Sequence, residues 1–66
     1  MMMPPWQKHP EIPPGSIGWR MGYGEDYRMS FDDWFKRQAE AEKRNYELTH
    51  PEPKGWEGFY RQRGDL

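Results

Sequence analysis

Two copies of a His-Pro-Glu tripeptide supply the side chains of this chain that are best suited to bind a metal ion. The first copy holds His9 and Glu11, and the second holds His50 and Glu52. Imidazole nitrogens and carboxylate oxygens together form a ligand set that zinc accepts. Neither copy has two closely spaced histidines, however, and the intervening proline restricts how His and Glu converge. We therefore expect each of them to cap a turn or face solvent, and we predict no metal site and no cofactor.

The similarity between the two copies extends beyond the tripeptide. Residues 9–19 align with residues 50–59 after one deletion, and both segments then continue with a proline and with Gly-x-x-Gly before an aromatic residue. Two similar turns at the two ends of a helix, a duplicated contact motif, and chance in a chain rich in Pro and Gly all explain this pattern. Two copies are fewer than a stacked repeat architecture needs. The sequence leaves these alternatives open.

Candidates for catalysis are few. The chain has no Cys, and its serines are Ser16 and Ser30, of which the second is explained as a helix cap. Asp32 and Asp33 are adjacent, so on a helix they point about 100° apart and cannot flank one substrate atom as an acid–base pair. A chain of 66 residues cannot easily enclose a pocket of about 300 Å³. We predict that the protein is not an enzyme and takes no small-molecule substrate.

Side chains that bind macromolecules are more abundant. Four Trp, four Tyr and three Phe exceed what one helix can cover, and surplus aromatics beside arginine are typical of binding hot spots. The sequence therefore predicts a non-enzymatic protein that docks on a larger protein or self-associates, as an inhibitor, an adaptor or an accessory subunit, with a phage-type or bacterial inhibitor among the fitting examples. The predicted partner-binding side chains are Trp6, Trp19, Arg20, Tyr23, Trp56, Phe59, Tyr60 and Arg61.

Single-stranded nucleic acid is the alternative partner. Arginine and aromatic side chains occur together in proteins that stack the bases of single strands. The net charge of −1 and a pI near 6.1 are far from the basic footprint expected of such a protein. We keep this function as the second hypothesis.

One amphipathic helix, from about residue 31 to residue 48, is the predicted centre of the fold. Ser30 is a favoured N-cap, and Asp33 completes a variant of the capping box. Met29 and Trp34 have the spacing of a hydrophobic staple. Pro51 prevents continuation of the helix. We assign residues 30–48 to this helix.

The flanking segments are predicted to be extended. Residues 1–14 contain five prolines, which favour a polyproline II path. In residues 15–29, the alternation of bulky side chains with Gly and Arg fits a short strand near 16–23 or an extended loop. Residues 49–66 form a second arm of Pro, Gly and aromatic residues. The predicted fold is one small, mainly α, loop-rich domain over residues 1–66, in which two Pro/Gly-rich arms clasp the helix.

Composition also suggests where the protein acts. No apolar run approaches the roughly 18–20 residues of a membrane span, so we predict no membrane partner. The N-terminal run of Met1 to Pro5 does not have the pattern of a signal peptide. The absence of Cys gives no sign of an oxidising compartment. We expect a cytoplasmic location, in a cell or in an infected host.

Overall fold

The computed structural model of the chain describes the backbone of residues 2–64 and the side chains of residues 2–62. No strand occurs within these residues, and none of their helices is long and apolar enough to cross a membrane. The prediction of a small, mainly helical fold is therefore confirmed. The helices are α1 (Pro5–Lys8), a 3-10 helix (Ile17–Trp19), α2 (Tyr23–Lys36), α3 (Glu40–Thr49) and α4 (Phe59–Gly64).

The prediction of a single central helix over residues 31–48 is wrong. Two helices cover this region, because α2 ends at Lys36 and α3 begins at Glu40. Ser30 does not cap a helix: it lies inside α2, where its side chain is exposed. The capping box and the staple assigned around it are therefore not the start of a helix.

Helix α2 begins at Tyr23 because the preceding chain packs directly on its first turn. Gly22 has φ 76°, a left-handed conformation that favours glycine, and its carbonyl accepts from the N–H of Asp26. A Cβ on Gly24 would lie 2.1 Å from the carbonyl oxygen of Gly18. Only glycine permits this close approach, so the 3-10 helix and α2 are locked together at this point.

The break between α2 and α3 returns Tyr46 to the core. The Gln38 side-chain amide donates to the carbonyl of Trp34 at 2.9 Å, and Ala39 is extended (φ −68°, ψ 158°) before α3 begins. In one continuous helix, Phe31 and Tyr46 would be roughly 22 Å apart along the axis. With the break, their ring centroids are 5.8 Å apart and the Tyr46 side chain is buried. Burial of such a ring stabilises the fold by about 1.5–3 kcal/mol, which offsets the cost of the backbone hydrogen bonds that the helix loses at the break.

The short strand predicted near residues 16–23 is also wrong. The Ser16 hydroxyl accepts from the N–H of Gly18 at 3.1 Å and starts the 3-10 helix. The alternating side chains consequently do not share one face. Trp19 is buried, whereas Ile17, Met21 and Tyr23 are exposed.

Both predicted arms contain helix, so they are only partly extended. In the N-terminal arm, Pro5 occupies the first position of α1, where the missing N–H of proline costs nothing. Pro4 and Pro5 are fully buried, and the Tyr27 hydroxyl donates to the carbonyl of Met3 at 2.5 Å. The C-terminal arm, whose last two residues lie outside the described part of the chain, forms α4.

The core consists almost entirely of aromatic rings. Phe31 and Phe35 on α2 are fully buried, and their rings stack with centroids 5.7 Å apart. The rings of Tyr46, Phe59 and Tyr60 complete the buried cluster. A chain of this length thus obtains its core from a few large side chains, each able to bury roughly 150–250 Å².

Candidate partner-binding groove

The two His-Pro pairs end helices in the same backbone conformation. His9 follows α1 with φ −130° and ψ 69°, and His50 follows α3 with φ −132° and ψ 69°. In each case the His N–H donates back into the helix, from His9 to Pro5 at 3.0 Å and from His50 to Tyr46 at 2.8 Å. The following proline has no N–H to extend the helix and disfavours a helical residue before it.

The aligned residues after each His-Pro pair form equivalent turns. The N–H of Ser16 donates to Pro13 O at 3.1 Å, and the N–H of Trp56 donates to Pro53 O at 3.0 Å. The N–H of Trp19 then donates to Ser16 O at 3.1 Å, and the N–H of Phe59 donates to Trp56 O at 3.0 Å. We call residues 13–19 the first turn and residues 53–59 the second turn. The backbone thus supports the interpretation of the sequence repeat as two similar turns.

A glycine with positive φ occupies the same aligned position in both turns. Gly15 in the first turn has φ 78°, and Gly55 in the second has φ 95°, values that other residues rarely adopt. The backbones of the two turns differ three residues later, where Gly58 has φ 85° but the aligned Gly18 does not have a positive φ. The first turn accordingly continues into the 3-10 helix, and the second into α4.

The acidic residues of the two copies have different local roles. The Glu11 carboxylate accepts from the Tyr23 hydroxyl at 2.7 Å and lies 3.3 Å from His9 Nδ1. The Tyr23 hydrogen bond is the main reason why the pKa of Glu11 is lowered. The Glu52 carboxylate instead accepts from the N–H groups of Gly58 and Tyr60 at the start of α4, at 3.1 and 2.8 Å.

The four His and Glu side chains of the repeat are not brought together. The His50 ring stacks on Tyr46 with centroids 4.2 Å apart, whereas His9 pairs with Glu11. Within the described residues, no group of three or more His, Cys, Asp or Glu side chains is placed to hold a metal ion.

The two turns pack against each other. A Cβ on Gly55 would lie 2.6 Å from Cγ of Pro14, so this glycine makes room for the opposite turn. The indole rings of Trp19 and Trp56 meet edge to face, with centroids 5.1 Å apart. The Trp19 indole N–H donates to Pro13 O at 3.1 Å and holds the first turn closed.

A groove of about 410 Å³, open to solvent, lies between the two turns. Its walls contain three pairs of residues that the repeat aligns: Gly15 with Gly55, Ser16 with Trp56, and Trp19 with Phe59. Its polar lining comes from Arg20, Arg28, Glu57 and Gln62. Four of the predicted partner-binding residues are thereby brought to one place, namely Trp19, Arg20, Trp56 and Phe59.

Most polar groups of the groove are already engaged within the chain. Arg28 Nε donates to the carbonyl of Trp19 at 3.0 Å, and its Nη1 lies 3.4 Å from Asp32 Oδ2. The Glu57 carboxylate accepts from the Gly55 N–H, at 3.1 and 3.2 Å. These contacts hold the Arg28 and Glu57 side chains on the walls of the groove.

Two donors of the groove have no acceptor in residues 2–62. Arg20 is exposed and forms no ion pair with these residues. The indole N–H of half-buried Trp56 likewise forms no hydrogen bond with them. Since no buried side-chain polar atom in this range lacks a partner, that N–H is accessible to solvent. Within residues 2–62, the Arg20 guanidinium and the Trp56 indole N–H therefore have no side-chain or backbone acceptor.

The remaining predicted partner-binding residues lie elsewhere. Trp6 is half-buried against Trp56, with ring centroids 5.2 Å apart. Tyr60 is buried, and its hydroxyl donates to His50 O at 2.5 Å. Tyr23 is exposed beside Glu11. Arg61 is exposed and lines a separate depression with Pro51 and Glu52.

The expectation that these aromatic side chains stay uncovered is wrong for Trp19, Phe59 and Tyr60. The fold itself buries them, because they form or border the aromatic core. Trp6 and Trp56 retain partial exposure. Whether any of the eight residues contacts a partner stays a prediction.

Sequence reasoning missed part of the groove. The flanking segment predicted to be extended, residues 15–29, includes Arg28, whereas Arg28 lies in the middle of α2 and donates to the Trp19 carbonyl. The aligned glycines carried a usable signal, because both repeats place Gly15 and Gly55 before residues of the groove walls.

Comparisons of the chain with models of protein families, with curated proteins and with solved structures give no match.

Proposed function

We propose that this protein is a small, non-enzymatic binding protein that docks on a larger protein through the groove between its two turns. The observation that carries the proposal is a pair of donors without an acceptor in residues 2–62, the Arg20 guanidinium and the Trp56 indole N–H, on residues that line the groove beside aromatic rings. Arginine and tryptophan dominate the binding energy of protein interfaces. An inhibitor, an adaptor and an accessory subunit all use such a surface.

The rigidity of the groove supports the same proposal. The guanidinium of Arg28 is tied to the Trp19 carbonyl and to Asp32, and Glu57 is tied to the Gly55 N–H. Side chains held in place before binding lose little conformational freedom when a partner docks. Held by these contacts, Arg28 and Glu57 serve as walls of a binding site rather than as reacting groups.

Binding of single-stranded nucleic acid is less well supported. Trp56 and Arg20 are suited to stack a base and to bind a phosphate. Glu57, however, places a carboxylate in the same groove, and the charge of Arg28 is partly neutralised by Asp32. A strand with a phosphate at every nucleotide requires a continuous row of cations, so we favour a protein partner.

Site-specific photo-crosslinking tests the proposal. A photoreactive amino acid is placed at Gln62, which lines the groove, and at Leu48 on α3, which is 80% exposed and does not line it. After irradiation in an extract of the source cells, we expect a discrete protein adduct at position 62 that mass spectrometry identifies, with none at position 48. An adduct of twice the protomer mass identifies self-association.

Two results would contradict the proposal. Identical adduct patterns at both positions, or none at position 62, would show that the groove is not a docking site. An adduct at position 62 that nuclease removes would favour the nucleic-acid alternative instead.

A further inference from the structure

We infer that the groove takes an extended, proline-containing segment of the partner that carries a carboxylate side chain. This inference rests on the proposed function and names the chemistry of its ligand. It is carried by the Trp56 indole N–H and the Arg20 guanidinium, which have no acceptor in residues 2–62, and by the open space at Gly15.

The first turn contains one example of an indole of this protein bound to a proline carbonyl, and that carbonyl also accepts from the Ser16 N–H. Trp19 Nε1 donates to Pro13 O at 3.1 Å, and the next residue, Pro14, packs against Gly55. Prolines in an extended path form no internal hydrogen bonds, so their carbonyls remain free to accept from such donors. Aromatic-lined grooves bind these segments because polyproline II is already ordered and little entropy is lost. Trp56 offers a second indole donor whose acceptor is not supplied by residues 2–62.

The Arg20 guanidinium favours a ligand with a carboxylate. Two arginines and one glutamate line the groove, but the charge of Arg28 is partly neutralised by Asp32, so Arg20 is the cation that attracts an anion. Arg20 is the exposed arginine of this groove and forms no ion pair within residues 2–62. A single carboxylate matches it, since arginine binds carboxylates through two parallel hydrogen bonds. Several successive phosphates would instead meet the carboxylate of Glu57.

The first turn leaves open space at Gly15. Nothing lies within 4 Å of the position of a Cβ on Gly15. The corresponding position on Gly55 is filled by Pro14. A ligand therefore has access at Gly15 to the groove that Arg20 and Trp56 also line.

Fluorescence anisotropy with a defined probe tests the inference. The probe is a fluorescein-labelled peptide of about four Pro-Pro-Glu repeats, titrated with the full chain. Matched peptides replace Glu by Gln or the prolines by Ala, and a labelled oligothymidylate represents single-stranded nucleic acid. We expect saturable binding of the Pro-Pro-Glu peptide and about tenfold weaker binding of the Gln peptide, which loses a charged hydrogen bond. The Ala peptide should also bind more weakly, because it keeps its carbonyl acceptors but loses more conformational entropy on binding.

Two variants place the binding in the groove. Arg20→Gln should weaken binding of the Pro-Pro-Glu peptide about tenfold and abolish its preference over the Pro-Pro-Gln peptide. Trp56→Phe keeps a ring but removes the N–H, and should weaken both peptides. Arg44→Gln, which removes the same charge from α3, and Trp34→Phe, which alters a tryptophan outside the groove, should bind as the original protein does.

The inference fails if the Pro-Pro-Glu and Pro-Pro-Gln peptides bind equally, if neither binds, or if oligothymidylate binds more tightly. Arg20 is exposed and unpaired within the described side chains, so Arg20→Gln folds and remains informative even if Trp56→Phe does not. A protein cross-linked at position 62 through a segment without proline and acidic residues would overturn this inference and leave the proposed function intact. Absence of any adduct there would overturn both.

Discussion

The Tyr46 hydroxyl donates a hydrogen bond to the carbonyl oxygen of Met2 at 2.9 Å, across 44 positions of the sequence. It joins the N-terminal segment to α3, while the Tyr46 ring is buried against Phe31 and Phe35. One side chain thus secures both the return of α3 to the core and the path of the chain before α1. The break between α2 and α3 makes this contact possible.

We expect Tyr46→Phe to lower the free energy of unfolding by about 1 kcal/mol, because the ring still packs but the hydrogen bond is lost. In a domain of this size, such a change lowers Tm by roughly 4–8 °C. Tyr23→Phe is the matched control, since its hydroxyl bonds Glu11 on the exposed surface, and it should have a smaller effect. Equal melting temperatures for Tyr46→Phe and the original protein would contradict the role given to this bond.

Ser30→Ala distinguishes the observed start of α2 from the predicted one. An N-cap at Ser30 would make this substitution destabilising by about 0.5–2 kcal/mol. Within α2, where Ser30 is exposed, alanine should instead stabilise by a few tenths of a kcal/mol through its higher helix propensity. Urea unfolding followed by circular dichroism measures the sign of the change.

Gly24→Ala completes this test from the other end of α2. Propensity alone would favour alanine by about 1 kcal/mol. A Cβ at this position would meet the Gly18 carbonyl at 2.1 Å, so we expect net destabilisation as the 3-10 helix is pushed away. If the substitution stabilises the protein, the packing of the first turn on α2 is incorrect.

Glu52→Gln should destabilise α4. The carboxylate accepts from the N–H groups of Gly58 and Tyr60, and the neutral amide has one oxygen where the carboxylate has two. We expect a loss of about 1–2 kcal/mol in the free energy of unfolding. Glu40→Gln is the control, because its 3.7 Å pair with Arg44 is exposed and such pairs contribute little. Similar losses in both variants would argue against capping by Glu52.

Alkaline pH should lower the free energy of unfolding. Burial raises the pKa of Tyr46 and of Tyr60 above the usual 10.0. The folded state therefore holds these protons more tightly than the unfolded state does. Their contribution to stability is complete below about pH 10 and is lost as the pH rises towards the folded pKa values.

Urea titrations from about pH 8 to about pH 11, with tyrosinate absorbance recorded in parallel, measure this dependence. The free energy of unfolding should be level up to about pH 10 and then fall. Tyr60→Phe should reduce the fall, since one of the two buried phenols no longer titrates. A level profile throughout would show that these hydroxyls are not buried in solution.

Local patterns in the sequence were sufficient for part of this structure. The His-Pro pairs, whose backbone conformation depends on proline itself, end helices at His9 and His50 as expected for residues before proline. The Gly15 and Gly55 turns follow from a residue type that tolerates positive φ. The sequence predicted Trp19, Arg20, Trp56 and Phe59 as partner-binding residues. It did not predict that these four side chains line one groove.

The amino-acid sequence by itself determined the small, mainly helical class and the abundance of aromatic residues available to the core, because both follow from residue types. It left the repeat open among two similar turns, a duplicated contact motif and chance. The tertiary structure alone decided where α2 begins and where it breaks. A cap at Ser30 is worth only about 1 kcal/mol. The contact of Gly18 with Gly24 and the burial of Tyr46 against Phe31 outweigh it, since such packing forms only when distant residues meet.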